Sequence, residues 1–137
     1  MSSLISTTLL IHGYWRWVLL TLAILAAVKF AMGWFGNGKV QAIDKQLASW
    51  FTIAMTIQFV LGLISIIGLT ILGGFVPSKH PEHIVYGLIA TGLSHAIPMR
   101  KDDRPDVTRF RMSFIFVVAS LVVVVLSVIR LRGGWSW

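Results

Sequence analysis

Four histidines and a single early arginine, set in a strongly apolar chain, are the residues whose types and spacing could do chemistry. His12 lies near the start of the first apolar stretch and His83 opens the third, so the two can sit at one depth on different helices. Two neutral imidazoles facing each other across a helix bundle are what a b-type haem needs for axial ligation. His95 lies twelve residues beyond His83, or about 18 Å of helical rise. It has no second histidine at its level to complete a pair. His80 falls in a loop, where solvent contact accounts for it. Arg16 follows His12 by four residues and therefore shares its face, one turn deeper. An arginine costs about 2.5–3.5 kcal/mol at mid-bilayer and less near the interface, where it can snorkel. Its functional reading is neutralisation of a haem propionate at the outer rim; the plainer one is an ion pair with Glu82 or a headgroup contact. His83, Gly87, Ala90 and Ser94 fall within about 60° of one another on a helix. That stripe leaves a shallow groove below His83, open to a flat macrocycle with Gly87 beneath it, or equally to a neighbouring helix. Gln58, mid-way along the second stretch, is expected to bond across the bundle rather than to a quinone carbonyl.

Other chemistries find no residues to carry them. The chain has no cysteine, which excludes disulfides, thiolate catalysis, iron–sulfur clusters and thioether-linked haem. Asp102 and Asp103 are adjacent and do not form a spaced acid/base pair. Hydrolase, kinase, nucleotide-binding and zinc-protease patterns are missing, so no independent catalytic activity is expected.

The elements that must position these residues are helices in a bilayer. With 56% hydrophobic residues and 12% charged, and a mean hydropathy of +0.82, the chain lies far from a soluble domain, which is about a quarter charged. The expected fold class is all-α: a polytopic membrane protein with one four-helix transmembrane domain over residues 1–137 and helices near 7–34, 43–72, 81–97 and 109–131. The first stretch lacks the basic start of a signal peptide and is read as retained. Tyr14, Trp15 and Trp17 crowd one of its ends and Trp34 the other, as aromatic belts do, before Gly33, Gly36, Asn37 and Gly38 stop it. The second stretch carries no charge after Lys45. Pro81 suits a first helical position and Pro98 closes the third segment. That segment is polar for a span and should face protein or ligand more than lipid. In the fourth, Ser113, Ser120 and Ser127 recur every seven residues, a small-residue stripe that lets helices approach closely.

The chain resembles a group of small bacterial four-helix membrane proteins, some labelled cytochrome-b-like. The resemblance is carried by His12-x-x-x-Arg16-Trp17, Gly33-Trp34-x-Gly36, Asp44-x-x-Leu47, Phe51-Thr52, Gln58-x-x-x-Gly62-Leu63, Glu82-His83 and His95. Those short motifs spread over most of the chain. It departs from the pattern in placing Pro81 before Glu82-His83 and in ending Gly133-Gly134-Trp135-Ser136-Trp137 without a proline. The resemblance implies a haem role for His12 and His83.

Basic residues set the expected orientation. Lys29, Lys39, Lys45, Arg100, Lys101, Arg104, Arg109 and Arg111 fall at one end, against Arg16, Lys79, Arg130 and Arg132 at the other. The first set should be cytoplasmic and both termini outer, or periplasmic, in a bacterial inner membrane. The Arg100–Arg111 cluster reads as topology and anionic-lipid contact, and its interleaved aspartates exclude a nucleic-acid surface. The leading expectation is a haem b electron-transfer protein, acting alone or as a subunit of a respiratory or photosynthetic complex. His12 and His83 would be the metal ligands, with Arg16 and Gly87 also contacting the haem, and a quinol or periplasmic carrier would be the redox partner. A cofactor-free accessory subunit packing lipid or pigment is the alternative. A carrier ranks lowest, because the helix interruptions lie at helix ends and not near the midplane.

Overall fold

A computed structural model describes residues 2–73, 80–99 and 103–132, with the side chains of Ser2, Ile5, His80, Arg130, Leu131 and Arg132 outside that description. Lys79, Arg100, Lys101, Asp102 and the 133–137 tail, all used above, likewise lie outside the described residues. Within them the chain forms four helices: α1 (Ser2–Phe35), α2 (Ala42–Ile71), α3 (His80–His95) and α4 (Asp106–Arg132). Pairing runs α1 with α2 and α4, and α3 with α2 and α4, so α1 and α3 stand on a diagonal of the bundle.

Local chemistry explains where the helices differ from the hydropathy reading. α1 starts at Ser2 rather than near residue 7, and the hydroxyls of Thr7 and Thr8 bond the carbonyls of Ser3 and Leu4 in that extra turn. α4 starts at Asp106, directly after Pro105, with an acidic group placed at the positive end of the helix dipole. α3 already includes His80, which the sequence reading left in a loop, and it stops at His95 instead of 97. There the Ala96 amide bonds both Gly92 and Leu93 carbonyls, one turn before Pro98. Just beyond α1, Asn37 lies in the left-handed region (φ 49°), and Gly73 after α2 has φ 78°, both common helix terminators.

α1, α2 and α4 are long and apolar enough to cross a membrane. α3, at 16 residues, covers only about 24 Å. The bundle is apolar outside and comparatively polar within. Leu10, Ile24, Met32, Ile67, Leu88 and Val122 face outward, whereas Arg16, Asp44, Thr91, Ser94, Ser113 and Ser120 are buried. A water-soluble bundle reverses that distribution. Exposed hydroxyls are satisfied on their own helix, Thr21 by the Trp17 carbonyl and Thr70 by that of Ile66, as a solvent without hydrogen bonds requires. The chain is thus a multi-pass membrane protein whose apolar face meets lipid.

The end of the bundle that carries the α1–α2 and α3–α4 connections is called the Asp44 end, and the other the termini end. At the Asp44 end, Asp44 is fully buried and accepts the Gln41 amide at 2.8 Å while pairing with Lys29 at 2.8 Å. Asp106 accepts the Val40 amide at 3.0 Å, and Arg109 donates to the carbonyls of Pro98 at 3.3 Å and Met99 at 2.6 Å. Phe110 packs so closely on Gly33 that a Cβ there would lie 2.5 Å from its ring. The serine stripe of α4 faces inward as its spacing predicts: Ser113, Ser120 and Ser127 are all buried, and Ser120 Oγ donates to the Ala90 carbonyl of α3 at 3.3 Å.

Candidate functional site

The termini half of the bundle is hollow. A cavity of about 360 Å³ lies between the four helices, with His12 and Arg16 of α1, Gln58 and Gly62 of α2, His83 and Gly87 of α3, and Ser127 of α4 in its wall. That volume falls within the range of small-molecule sites, about 300–1,000 Å³.

His12 and His83 meet across it. Their ring centroids are 6.4 Å apart and their planes cross at 87°. Because α1 and α3 are diagonal, the pair spans the interior of the bundle instead of one helix–helix seam. Each ring is held by a neighbouring helix. Nδ1 of His83 lies 2.5 Å from Ser127 Oγ, a hydrogen bond to α4. His12 lies against Gly62 of α2, where an added Cβ would be 3.1 Å from its Cε1. The missing side chain at Gly62 is what lets the His12 ring occupy that depth.

Below this pair, toward the Asp44 end, α1 and α2 run antiparallel. Arg16, one turn on from His12, is therefore level with Gln58, one turn back from Gly62. Arg16 is only 7% exposed, lines the cavity, and has its guanidinium 5.4 Å from the Trp17 ring centroid. Gln58 departs from expectation: its Oε1 is buried and accepts no hydrogen bond from the described residues. Thr91, also in the wall, bonds the Gly87 carbonyl. The opposite end of the cavity is apolar, lined by Leu9, Ile66, Leu69 and Val128.

The remaining sequence candidates separate. Gly87 does border the cavity, but a Cβ there would meet Phe59 of α2 at 3.1 Å. Ala90 and Ser94 are buried among helices, with the Ser94 carbonyl accepting Thr52 Oγ1 at 2.9 Å. The stripe below His83 is therefore a helix contact past Gly87, closed by Phe59. His95 is exposed and 3.1 Å from Thr56 Oγ1, away from the cavity. Glu82 Oε1 accepts from Tyr86 within α3 at 3.1 Å. Ser127 and Gly62 were not marked as site residues by sequence. A signal existed for each, since Ser127 ends the heptad stripe and Gly62 stands four residues after Gln58, but both patterns read first as helix packing.

Chemically, the arrangement offers two imidazoles and no third protein ligand: among the described residues there is no group of three or more His, Cys, Asp or Glu able to hold a metal ion. A metal held here by protein alone would lack most of its coordination sphere. A macrocycle would supply the donors that the protein lacks, and His12 and His83 would then suffice to hold it. The ring centroids of His12 and His83, 6.4 Å apart across the cavity, leave space for a metal between them. The residues present fit such a group. In comparison with known proteins, no family model, no curated protein and no solved structure matches the chain.

Proposed function

We propose that this protein binds one b-type haem between His12 and His83 and serves in membrane electron transfer, alone or as a subunit of a respiratory or photosynthetic complex. The observation that carries this reading is the pair of imidazoles at 6.4 Å and 87° across the bundle. Bound there, the haem supplies one-electron exchange between ferric and ferrous iron. With its Nδ1 protonated and donating to Ser127, His83 presents Nε2 to the metal and is fixed in one tautomer and rotamer. Gly62 holds His12 in place from the α2 side. The apolar part of the wall, with Leu63, Ile84 and Val124, would limit reorganisation around the iron.

The excess of basic residues at the Asp44 end supports a cytoplasmic side for that end, in a bacterial inner membrane. α3, with the other three helices, then completes a four-span topology with both termini outside. The cavity lies in the outer leaflet, in reach of a quinol or a periplasmic carrier. The alternative, a cofactor-free accessory subunit, draws on the apolar groove between α1 and α4 lined by Trp17, Leu20, Ile24, Leu121 and Val125. That reading expects the chain to remain in a heavier complex after gentle solubilisation.

A reduced-minus-oxidised absorption spectrum of the detergent-purified chain separates the two. Sharp low-spin haem bands are expected, lost in His12→Ala and in His83→Ala and retained in His95→Ala. A featureless spectrum at full protein recovery from haem-replete cells overturns the haem reading.

A further inference from the structure

The cavity is not uniform along its length, and the asymmetry assigns an orientation to what it holds. Its termini end is formed by Leu9, Ile66, Leu69 and Val128 with Ser65, whose hydroxyl is committed to the Leu61 carbonyl at 2.8 Å, whereas its opposite end carries Arg16, Gln58 and Thr91. Arg16, itself more than nine-tenths buried, brings a permanent positive charge and a planar fork of N–H donors to the cavity wall. Gln58 adds an amide at the same level. Its Oε1 accepts no bond from the described residues, so that oxygen does not fix which way the amide faces. Turned by 180°, it presents N–H donors instead. A guanidinium beside an adaptable amide, at the Asp44 side of the cavity, matches a carboxylate. Thr91 cannot take the main role, because its hydroxyl is already committed to the Gly87 carbonyl at 2.8 Å.

We infer that Arg16 and Gln58 form a carboxylate subsite which orients an amphipathic ligand with its acid edge buried toward the Asp44 end and its apolar edge toward the chain termini. This rests on the haem reading for the ligand: a b-type haem carries both its propionates on one edge and only apolar substituents on the other. Its acid edge then points into the bundle, away from the nearer membrane surface. Arg16, expected from sequence to meet a propionate at the outer rim, instead lies on the Asp44 side of His12, and the cavity's termini end offers no charged group among its lining residues. Binding therefore requires the two carboxylates to leave water, and Arg16 is the compensating charge. Gln58 and Arg16 act in this as positioning residues, since neither reaches the metal.

The test is a spectroscopic titration of the full chain, purified without added haem, with haem b and separately with its dimethyl ester, in which both carboxylates are neutral. The wild-type chain is expected to bind haem b at least about tenfold more tightly than the ester, the scale of one charge-assisted hydrogen bond. Arg16→Gln should remove that preference while both ligands still give low-spin spectra. Gln58→Glu should cancel most of it, weakening haem b about tenfold by like-charge repulsion and leaving the ester unchanged; a merely structural role would weaken both alike. Equal affinity of the wild-type chain for the two ligands overturns the subsite and leaves the axial pair standing. Absence of low-spin bands with either ligand overturns the axial pair and the subsite with it. If Arg16→Gln fails to fold, the wild-type comparison and Gln58→Glu decide the matter.

Discussion

The two ends of the bundle solve the same problem in opposite ways. Both bury charged or polar groups in a helix bundle whose exterior is apolar. At the Asp44 end the protein supplies the partners itself: Asp44 takes Lys29 and the Gln41 amide, Asp106 takes the Val40 amide, and Arg109 spans two carbonyls of the segment after α3. The space between the helices is filled by Phe30, Phe51 and Phe110. At the termini end polar side chains line a cavity, where His83 is held by Ser127 and Gln58 has an oxygen to which no described residue donates. Ser113 Oγ, toward the Asp44 end, is the exception there. A bundle locked at one end and hollow at the other keeps its interlocking contacts apart from its cavity, and the proposed ligand site apart from the folding determinants. Changes at the first end should alter stability and changes at the second should alter ligand affinity.

Asp44 offers the strongest way to break that separation. Asp44→Ala removes both a helix N-terminal acceptor and the counter-charge of Lys29. Removal of one partner of a buried pair costs about 3–5 kcal/mol. Lys29 is about one-third exposed and can rehydrate, so about 3 kcal/mol is the expected loss, dominated by the uncapped helix end and the emptied site. Denaturant unfolding of the detergent-solubilised variant should show it, with haem affinity of the folded fraction unchanged. A large fall in affinity at intact stability would mean that the two ends are coupled.

How far the two ends could be read from sequence differs as well. The helices were legible nearly throughout, because runs of apolar residues broken by Gly, Pro and Asn leave little freedom in a bilayer. Counting from helix starts also brought His12 and His83 to one depth. What filled the faces was not legible. Periodicity put His83, Gly87, Ala90 and Ser94 on one stripe, but only packing shows Phe59 closing on Gly87. The Lys29–Asp44 pair joins residues on either side of a tight connection, and their charges alone read as topology signals. Ser127 posed a subtler problem. Its heptad spacing from Ser113 and Ser120 marked it as a helix contact, which it is, and gave no hint that the same hydroxyl reaches His83 on α3.

That hydroxyl gives the next test. Ser127→Ala removes the bond that fixes the His83 ring without touching the ligating nitrogen. Losing such an outer partner typically lowers metal affinity by about 10–100-fold. A titration should therefore show weaker haem binding with the low-spin bands retained, and thermal unfolding of the ligand-free chain should move little, since a single hydrogen bond contributes about 1 kcal/mol. If ligand-free stability falls as far as in Asp44→Ala, the Ser127–His83 bond belongs to the folding machinery and the contrast between the ends is lost.

Gly62→Ala is the finest probe, because it adds one methyl group where the wall meets the ring. The new Cβ would stand 3.1 Å from Cε1 of His12, closer than van der Waals contact, so the imidazole must give way by a few tenths of an ångström. On the apolar side of the ring the cavity leaves room for that shift, and alanine favours the helix over glycine by about 1 kcal/mol. The ligand-free chain should therefore be as stable as wild type, or slightly more so. The cost should appear only when both imidazoles must reach one metal, as a several-fold weaker haem affinity and a perturbed low-spin spectrum. A variant that is more stable yet binds less well would separate the two properties within a single helix turn. If stability and affinity instead fall together, His12 is packed as part of the core, and the hollow end is structurally closer to the locked one than its cavity implies.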